Sequence, residues 1–154
     1  MVIADTDFLS SFVKIGRVNL VFKAFNINKI TIPGAVLHEL EKAPFFNTIL
    51  GLIDSSKIEV KSIEINNLSE EFGAGELESI ALAQQTNDVL LMNDQSAIKY
   101  AEQMDVAVLD VPTFLLYCKK KNILSKKEIQ EIITELKIKD YYEFSDDVKR
   151  VLLQ

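Results

Sequence analysis

Two uninterrupted apolar runs stop at acidic residues and are followed by helical periodicity: residues 2–4 run into Asp5, and residues 89–92 run into Asn93 and Asp94. A strand without polar alternation is buried on both faces, and such strands alternating with helices build a parallel sheet covered on both sides. Other segments repeat the pattern. A β-branched strand is expected over 29–32, ended by Pro33-Gly34, a buried strand over 106–109, and an edge strand with polar interruptions over 58–65. Helices are expected over 8–16 with a glycine stop, over 18–25, 35–42 and 43–55 (the last largely buried), and over 76–85 behind the small-residue turn Phe72-Gly73-Ala74-Gly75. Ala97, Tyr100, Ala101 and Met104 recur at helical spacing, a further helix spans 112–121, and the chain from Asn122 onward reads as helical and polar. The expected fold class is α/β: a three-layer α/β/α sandwich with a central, mainly parallel sheet. It forms one domain over 1–154, in which 122–154 is a C-terminal helical extension packed on the rest.

Composition agrees with a single soluble domain, since 48% of the 154 residues are apolar and 26% charged. The longest stretch free of charge and histidine, residues 43–53, is shorter than the ~20 residues a membrane-spanning helix needs. Residues 1–13 carry two aspartates and no Lys or Arg, unlike the basic start of a secretion signal. A cytoplasmic location without membrane contact is therefore expected. The single cysteine, Cys118, sits in an apolar run and reads as core. Net charge is −6, unevenly distributed: 8 basic against 16 acidic residues up to Asp110, then 9 against 7 from Val111 onward. Lys119, Lys120, Lys121, Lys126 and Lys127 form the densest basic cluster, which suits either phosphate contact or a solvated helix end stabilised by the helix dipole.

In open parallel sheets, ligands bind beyond the carboxyl ends of the strands, so acids at those ends carry the most information. Asp5 and Asp94 stand there, and meet in one crevice if the first and fourth strands are neighbours. Glu39, in the helix after Pro33, and Glu76, at the start of the glycine-led helix, reach toward the same place from either side. Carboxylates gathered in a low-dielectric cleft repel one another and take up protons unless a cation neutralises them. A hard divalent ion, Mg²⁺ or Mn²⁺, suits an all-oxygen donor set that leaves room for water and a phosphate. A lone His38 cannot make a zinc site and reads as a surface residue. Residues two apart on a helix point about 200° apart. That favours Glu39 over Glu41 and leaves Glu76 and Glu78 less separated, with Glu76 first. Asp94 and Asp5 or Asp7 also suit helix capping, and Glu76 suits the positive end of a helix dipole.

Four segments in order resemble the PIN-domain family of metal-dependent ribonucleases, in particular small stand-alone prokaryotic members. They are ADTDFLSSF at 4–12, ITIPGAVLHEL at 30–40, GAGELESIALA at 73–83 and LLMNDQSAIKYA at 90–101. The resemblance implies a parallel sheet between helices, an acidic site holding Mg²⁺ or Mn²⁺, and hydrolysis of RNA phosphodiester bonds. Under it, Asp5 and Asp94 are the principal metal ligands, and Glu39 and Glu76 complete the catalytic acids directly or through water. Thr6 and Asn93 orient them. Many relatives carry Asp where Glu76 stands and a basic residue where Ile98 stands, which leaves Lys99 as the nearest phosphate partner. They often have Gly-Thr where Asp110-Val111 stand, so Asp110 is expected only to start a helix.

The resemblance also implies partners: an RNA substrate, a small antitoxin protein if the chain is the toxin of a toxin–antitoxin pair, and a second copy in a homodimer. Phe45, Phe46, Ile49, Leu50 and Ile53 suit either core or interface. Tyr141, Tyr142 and Phe144 suit terminal packing better than base stacking. Two other readings compete. Asp5-Thr6-Asp7 is similar to the opening of haloacid dehalogenase-like phosphatases, which usually have Thr or Val where Leu9 stands and need a downstream Lys with paired acids. An inactive PIN-like scaffold for RNA or protein is the non-enzymatic alternative, against which stands the presence of all four acids.

Overall fold

The computed structural model describes residues 1–65 and 69–154. Its sheet has the order β3-β2-β1-β4-β5 and every pairing is parallel. The strands are β1 Val2–Ala4, β2 Ile30–Pro33, β3 Ile58–Lys61, β4 Val89–Leu91 and β5 Val108–Leu109. The register Val2↔Val89, Ile3↔Leu90, Ala4↔Leu91 brings the carboxyl ends of β1 and β4 level. The Asp5 N–H donates to the Leu91 carbonyl at 2.9 Å, extending that pairing by one residue. Because β1 leads to β2 on one side and pairs with β4 on the other, a topological switch point lies between the two central strands.

Side-chain alternation sorts these strands into two cores. Ile3, Leu90 and Met92 pack with Ile80 and Leu82 of α5 (Ala74–Thr86) and Ala97, Ile98 and Ala101 of α6 (Gln95–Gln103). Val2, Ala4, Leu91, Ile30 and Ile32 face the opposite layer. That layer comprises α1 Thr6–Lys14, α2 Asn19–Phe25, α3 Gly34–Leu40, α4 Phe46–Asp54, α7 Val111–Lys120, α8 Lys126–Asp140 and α9 Asp146–Leu152. Phe8, Phe12 and Phe114 meet there in edge-on and stacked pairs at 5.0–5.5 Å. Cys118 is fully buried among them, and burial lifts its thiol to about 12, which leaves it inert at neutral pH.

Two segments differ from the sequence reading. The stretch after Asn122 is not simply polar: Ile129, Ile132, Ile133 and Leu136 of α8 form a stripe at helical spacing that joins the larger core. Each such burial stabilises the fold by roughly 1.5–3 kcal/mol. An ion pair seals this docking, with Arg17 reaching Glu135 through Nε at 2.9 Å and Nη2 at 3.0 Å. Conversely, α4 is not largely buried. Ile49 alone is enclosed and Leu50 is 40% exposed, because this helix packs along the outer side beside the edge strand β3. Phe144 is buried and Tyr142 packs on it at 4.9 Å, while Tyr141 is 90% exposed. Among the described residues, no helix is long and apolar enough to cross a membrane.

Candidate metal centre and substrate crevice

Each acid reaches the switch-point crevice from the end of an element. Asp5 occupies the N-cap position of α1 with extended backbone, yet its carboxylate makes no capping bond. It is only 2% exposed, and the Ser79 hydroxyl donates to its Oδ1 at a long 3.5 Å. Burial, reinforced by the negative charges of Asp7, Glu39 and Glu76 and opposed by the Thr6 N–H, raises its pKa to about 7. A buried carboxyl with three anions facing it and little hydrogen bonding is held in an unfavourable state at neutral pH.

Glu39 comes from α3, whose Pro33-Gly34 start follows β2 directly. The Thr6 hydroxyl donates to its Oε2, and the Gly75 N–H donates to its Oε1 at 3.1 Å. Gly75 belongs to the first turn of α5, where a Cβ would lie 2.5 Å from Glu39 Oε1. The glycine therefore provides both the donor and the space. Next to it, Glu76 accepts from the Gly73 N–H at 3.3 Å, closing the cap of α5. Its pKa is raised, first by burial and then by Asp94, Asp7 and Glu39. Glu78 turns elsewhere, accepting from the Ala35 N–H at 3.3 Å at the start of α3.

Asp94 caps α6. Its Oδ1 accepts from the Ala97 N–H at 2.8 Å, while the residue as a whole is exposed and its charge is felt at Asp7 and Glu76. Asp7, in the first turn of α1, also has a raised pKa, through burial first and then the charges of Glu39, Asp94 and Asp140, with Lys14 opposing. The structure thus brings Asp5, Glu39, Glu76 and Asp94 into one electrostatic neighbourhood and adds Asp7. The Thr6 hydroxyl hydrogen-bonds Glu39, whereas its N–H serves Asp5. Asn93 Oδ1 accepts from the Val111 N–H at 3.2 Å and the Tyr142 hydroxyl at 3.5 Å, holding the end of β4 to α7 and the C-terminal segment.

Other candidates fall outside. Lys99 is exposed on α6 and is not among the charges that shift these acids. Asp110 caps α7 through the Thr113 N–H at 2.9 Å. His38 is exposed beside Glu41 at 3.6 Å. The basic cluster begins at the far end of α7 with Lys119, about 13.5 Å along the helix from Asp110. There Lys119 donates to the carbonyls of Val151 and Gln154 at 3.4 and 2.8 Å. Sequence reasoning missed Ser79 and Gly75 as parts of the site. A hydroxyl immediately before the apolar run Ile80–Ala83 and a glycine just inside a helix were the available signals.

The donor chemistry fits a hard divalent cation: all-oxygen, strongly anionic, and with the Asp5 carboxyl raised by burial first and by its anionic neighbours second. The side chains do not form a finished cage, since among the described residues no three His, Cys, Asp or Glu are arranged to hold a metal ion.

A family model described as "DUF3368: PIN domain" matches residues 1–154. The chain belongs to the PIN-domain family. That family generally comprises metal-dependent nucleases. Among curated proteins, none matches this chain in sequence. In structure, this PIN-domain chain is similar to a PilT N-terminus domain protein from the hyperthermophilic archaeon Sulfolobus solfataricus P2. The TM-score is 0.54 at 18% identity, covering 75% of this chain and 92% of that one. It is also similar to the PIN domain endonuclease Utp24, with a TM-score of 0.51 at 16% identity, covering 71% of this chain and 84% of that one. At such identities the likeness speaks for the fold.

Proposed function

We propose that this PIN-domain protein is a metal-dependent endoribonuclease using Mg²⁺ or Mn²⁺, with Asp5, Glu39, Glu76 and Asp94 as its catalytic acids. The observation that carries this reading is the carboxyl of Asp5, buried at the switch point, raised to about 7 and faced by other acids. Asp5 and Asp94 would hold the cation, with Glu76 beside them. Glu39, fixed by Thr6 and Gly75, would hold it directly or position water around it. Such an ion, when bound, polarises a phosphoryl oxygen and lowers the pKa of water for in-line attack on the phosphodiester. The chain supplies the rest: a dry pocket for Asp5, and helix N-termini at Asp5, Gly73 and Asp94 whose dipoles favour anions. With its one cysteine inert and its one histidine exposed, no nucleophilic triad competes for the role.

In a cell this activity fits a cytoplasmic toxin restrained by a small antitoxin, acting as a homodimer through the half-exposed face of α4. The direct test is cleavage of labelled RNA with Mn²⁺ or Mg²⁺, compared with Asp5→Asn/Asp94→Asn. The wild-type chain is expected to cut only with metal, and the double variant to lose at least ~10³-fold in rate, on the scale of electrostatic catalytic contributions. Equal cleavage by both would end the proposal.

The incomplete cage favours a second reading, a PIN scaffold that binds RNA or protein without cutting. Calorimetric titration with Mn²⁺ separates the two. The scaffold shows no uptake dependent on Asp94, whereas the nuclease does.

A further inference from the structure

Beside the acidic crevice lies a polar cavity of about 260 Å³, between α1 and the end of α8. Asp7 and Asn93 form its boundary with the acids, and Ser10, Lys14, Asp140 and Tyr142 form its other walls. Lys14 pairs with Asp140 Oδ1 at 2.8 Å, and the Ser11 hydroxyl donates to Asp140 Oδ2 at 2.6 Å. Asn93 Oδ1 is already committed to Val111 and Tyr142, which leaves the Asn93 amide with donors to spare. The cavity therefore offers an ammonium, a carboxylate, a hydroxyl, an amide donor and a phenol.

We infer that this cavity seats the nucleotide adjoining the scissile phosphate, with Lys14 pairing to that nucleotide's phosphate. The inference rests on the ribonuclease reading and names where the substrate lies. Three observations favour a nucleotide. The cavity shares Asp7 with the acid cluster, so a chain entering one reaches the other. Lys14 is the cation whose charge is felt at that shared residue, and its side chain is 37% exposed, free to exchange Asp140 for a phosphate. The remaining groups suit ribose hydroxyls, with Asp7 accepting and Asn93 donating. Lys14 thereby takes the phosphate role that the sequence reading gave to Lys99.

The test uses the full chain carrying Asp5→Asn/Asp94→Asn, which removes cleavage, and a fluorescent single-stranded oligoribonucleotide of mixed sequence. Anisotropy is followed across a salt series. Adding Lys14→Ala is expected to weaken binding about tenfold, the scale of a hydrogen bond to a charged group. It is also expected to flatten the log K against log salt slope by about 0.7, the loss of one single-strand phosphate contact. Lys14→Arg restores the slope. Lys137→Ala, which removes the same charge from a side chain outside the cavity, does neither. Equal behaviour of Lys14→Ala and Lys137→Ala overturns the inference, as does no measurable binding by the parent chain. The two readings fail separately. A wild-type chain that never cuts RNA, with the Lys14 effect intact, removes the nuclease and keeps the binding site. A wild-type chain that cuts RNA with no change in KM on Lys14→Ala removes the site and keeps the nuclease.

Discussion

Carboxylates in two parts of this molecule respond to folding in opposite directions. At the docking of α1 on α8, Glu135 faces Arg17 through two hydrogen bonds and is held below its usual range. Glu59, paired with Lys29, and Asp88, paired with the N-terminal ammonium, are lowered too. At the switch point, Asp5, Asp7 and Glu76 are all raised, with burial as the first cause and one another's charge behind it. Lys14 opposes the shift at Asp7, but the cations that lower Glu135, Glu59 and Asp88 lie elsewhere. A paired carboxylate contributes to the fold, whereas a clustered, uncompensated one opposes it and is tolerated where a cation from outside completes the site.

The sharpest way to break this contrast is Asp5→Asn. An unfolded aspartate ionises near 3.8 and folded Asp5 near 7, so between those values the folded state holds the proton and the unfolded state has lost it. Stability of the metal-free protein is therefore expected to fall as pH rises from about 4 to about 7, and to level off above. The asparagine variant escapes that loss, gaining up to about 4 kcal/mol at pH 8 for a shift of about three units. Urea unfolding in chelator at pH 4 and pH 8 measures it. If the proposed metal site is right, Mn²⁺ is expected to flatten the wild-type profile and to leave that of Asp5→Asn unchanged. An equal pH slope in both proteins without metal would show that Asp5 is not the strained group.

Gly75→Ala probes the same region with a smaller effect. The three atoms nearest the new methyl all belong to the end of the Glu39 side chain, so the carboxylate is expected to swing away while the backbone stays. Alanine inside a helix is itself favoured by about 1 kcal/mol over glycine. Thermal stability in chelator is expected to hold or rise by that amount, while Mn²⁺ affinity falls. Unchanged affinity in calorimetry would mean that the position of Glu39 does not matter to the cation.

How much of this was legible in the sequence depends on whether a residue's role is local. Asp5 and Asp94 were readable because a buried strand and the helix after it place a residue within a few positions, and the topology supplies the neighbour. Glu76 and Glu78 were hard to separate because both border the packed side of α5, and only the proximity of α3 turns Glu78 to Ala35. The stripe of α8 was hidden by the Lys and Glu residues interleaved with its isoleucines. Residues 43–53 misled the other way, since lack of charge permits burial without requiring it. Lys14 with Asp140 lay beyond reach, because 126 positions separate partners that only the docked helix brings together.

Glu135→Gln tests the paired side and has the smallest expected effect. Both Arg17 and Glu135 keep about 30% of their side chains exposed, so solvent screening holds the pair to about 1 kcal/mol or less. Because Glu135 is lowered by its partner, that stabilisation is present above the unfolded pKa, near 4.5, and disappears as pH falls through the lower folded value. The cost of Glu135→Gln is thus expected at neutral pH and absent in strong acid, and divalent metal should not alter it. The gain from Asp5→Asn has the opposite sign, grows between pH 4 and 7, and vanishes when Mn²⁺ is bound. Measuring both variants with and without Mn²⁺ separates acids that hold helices together from acids that await a cation. If Mn²⁺ shifts Glu135→Gln as much as it shifts wild-type minus Asp5→Asn, the ion binds the surface at large and the two regions are electrostatically alike.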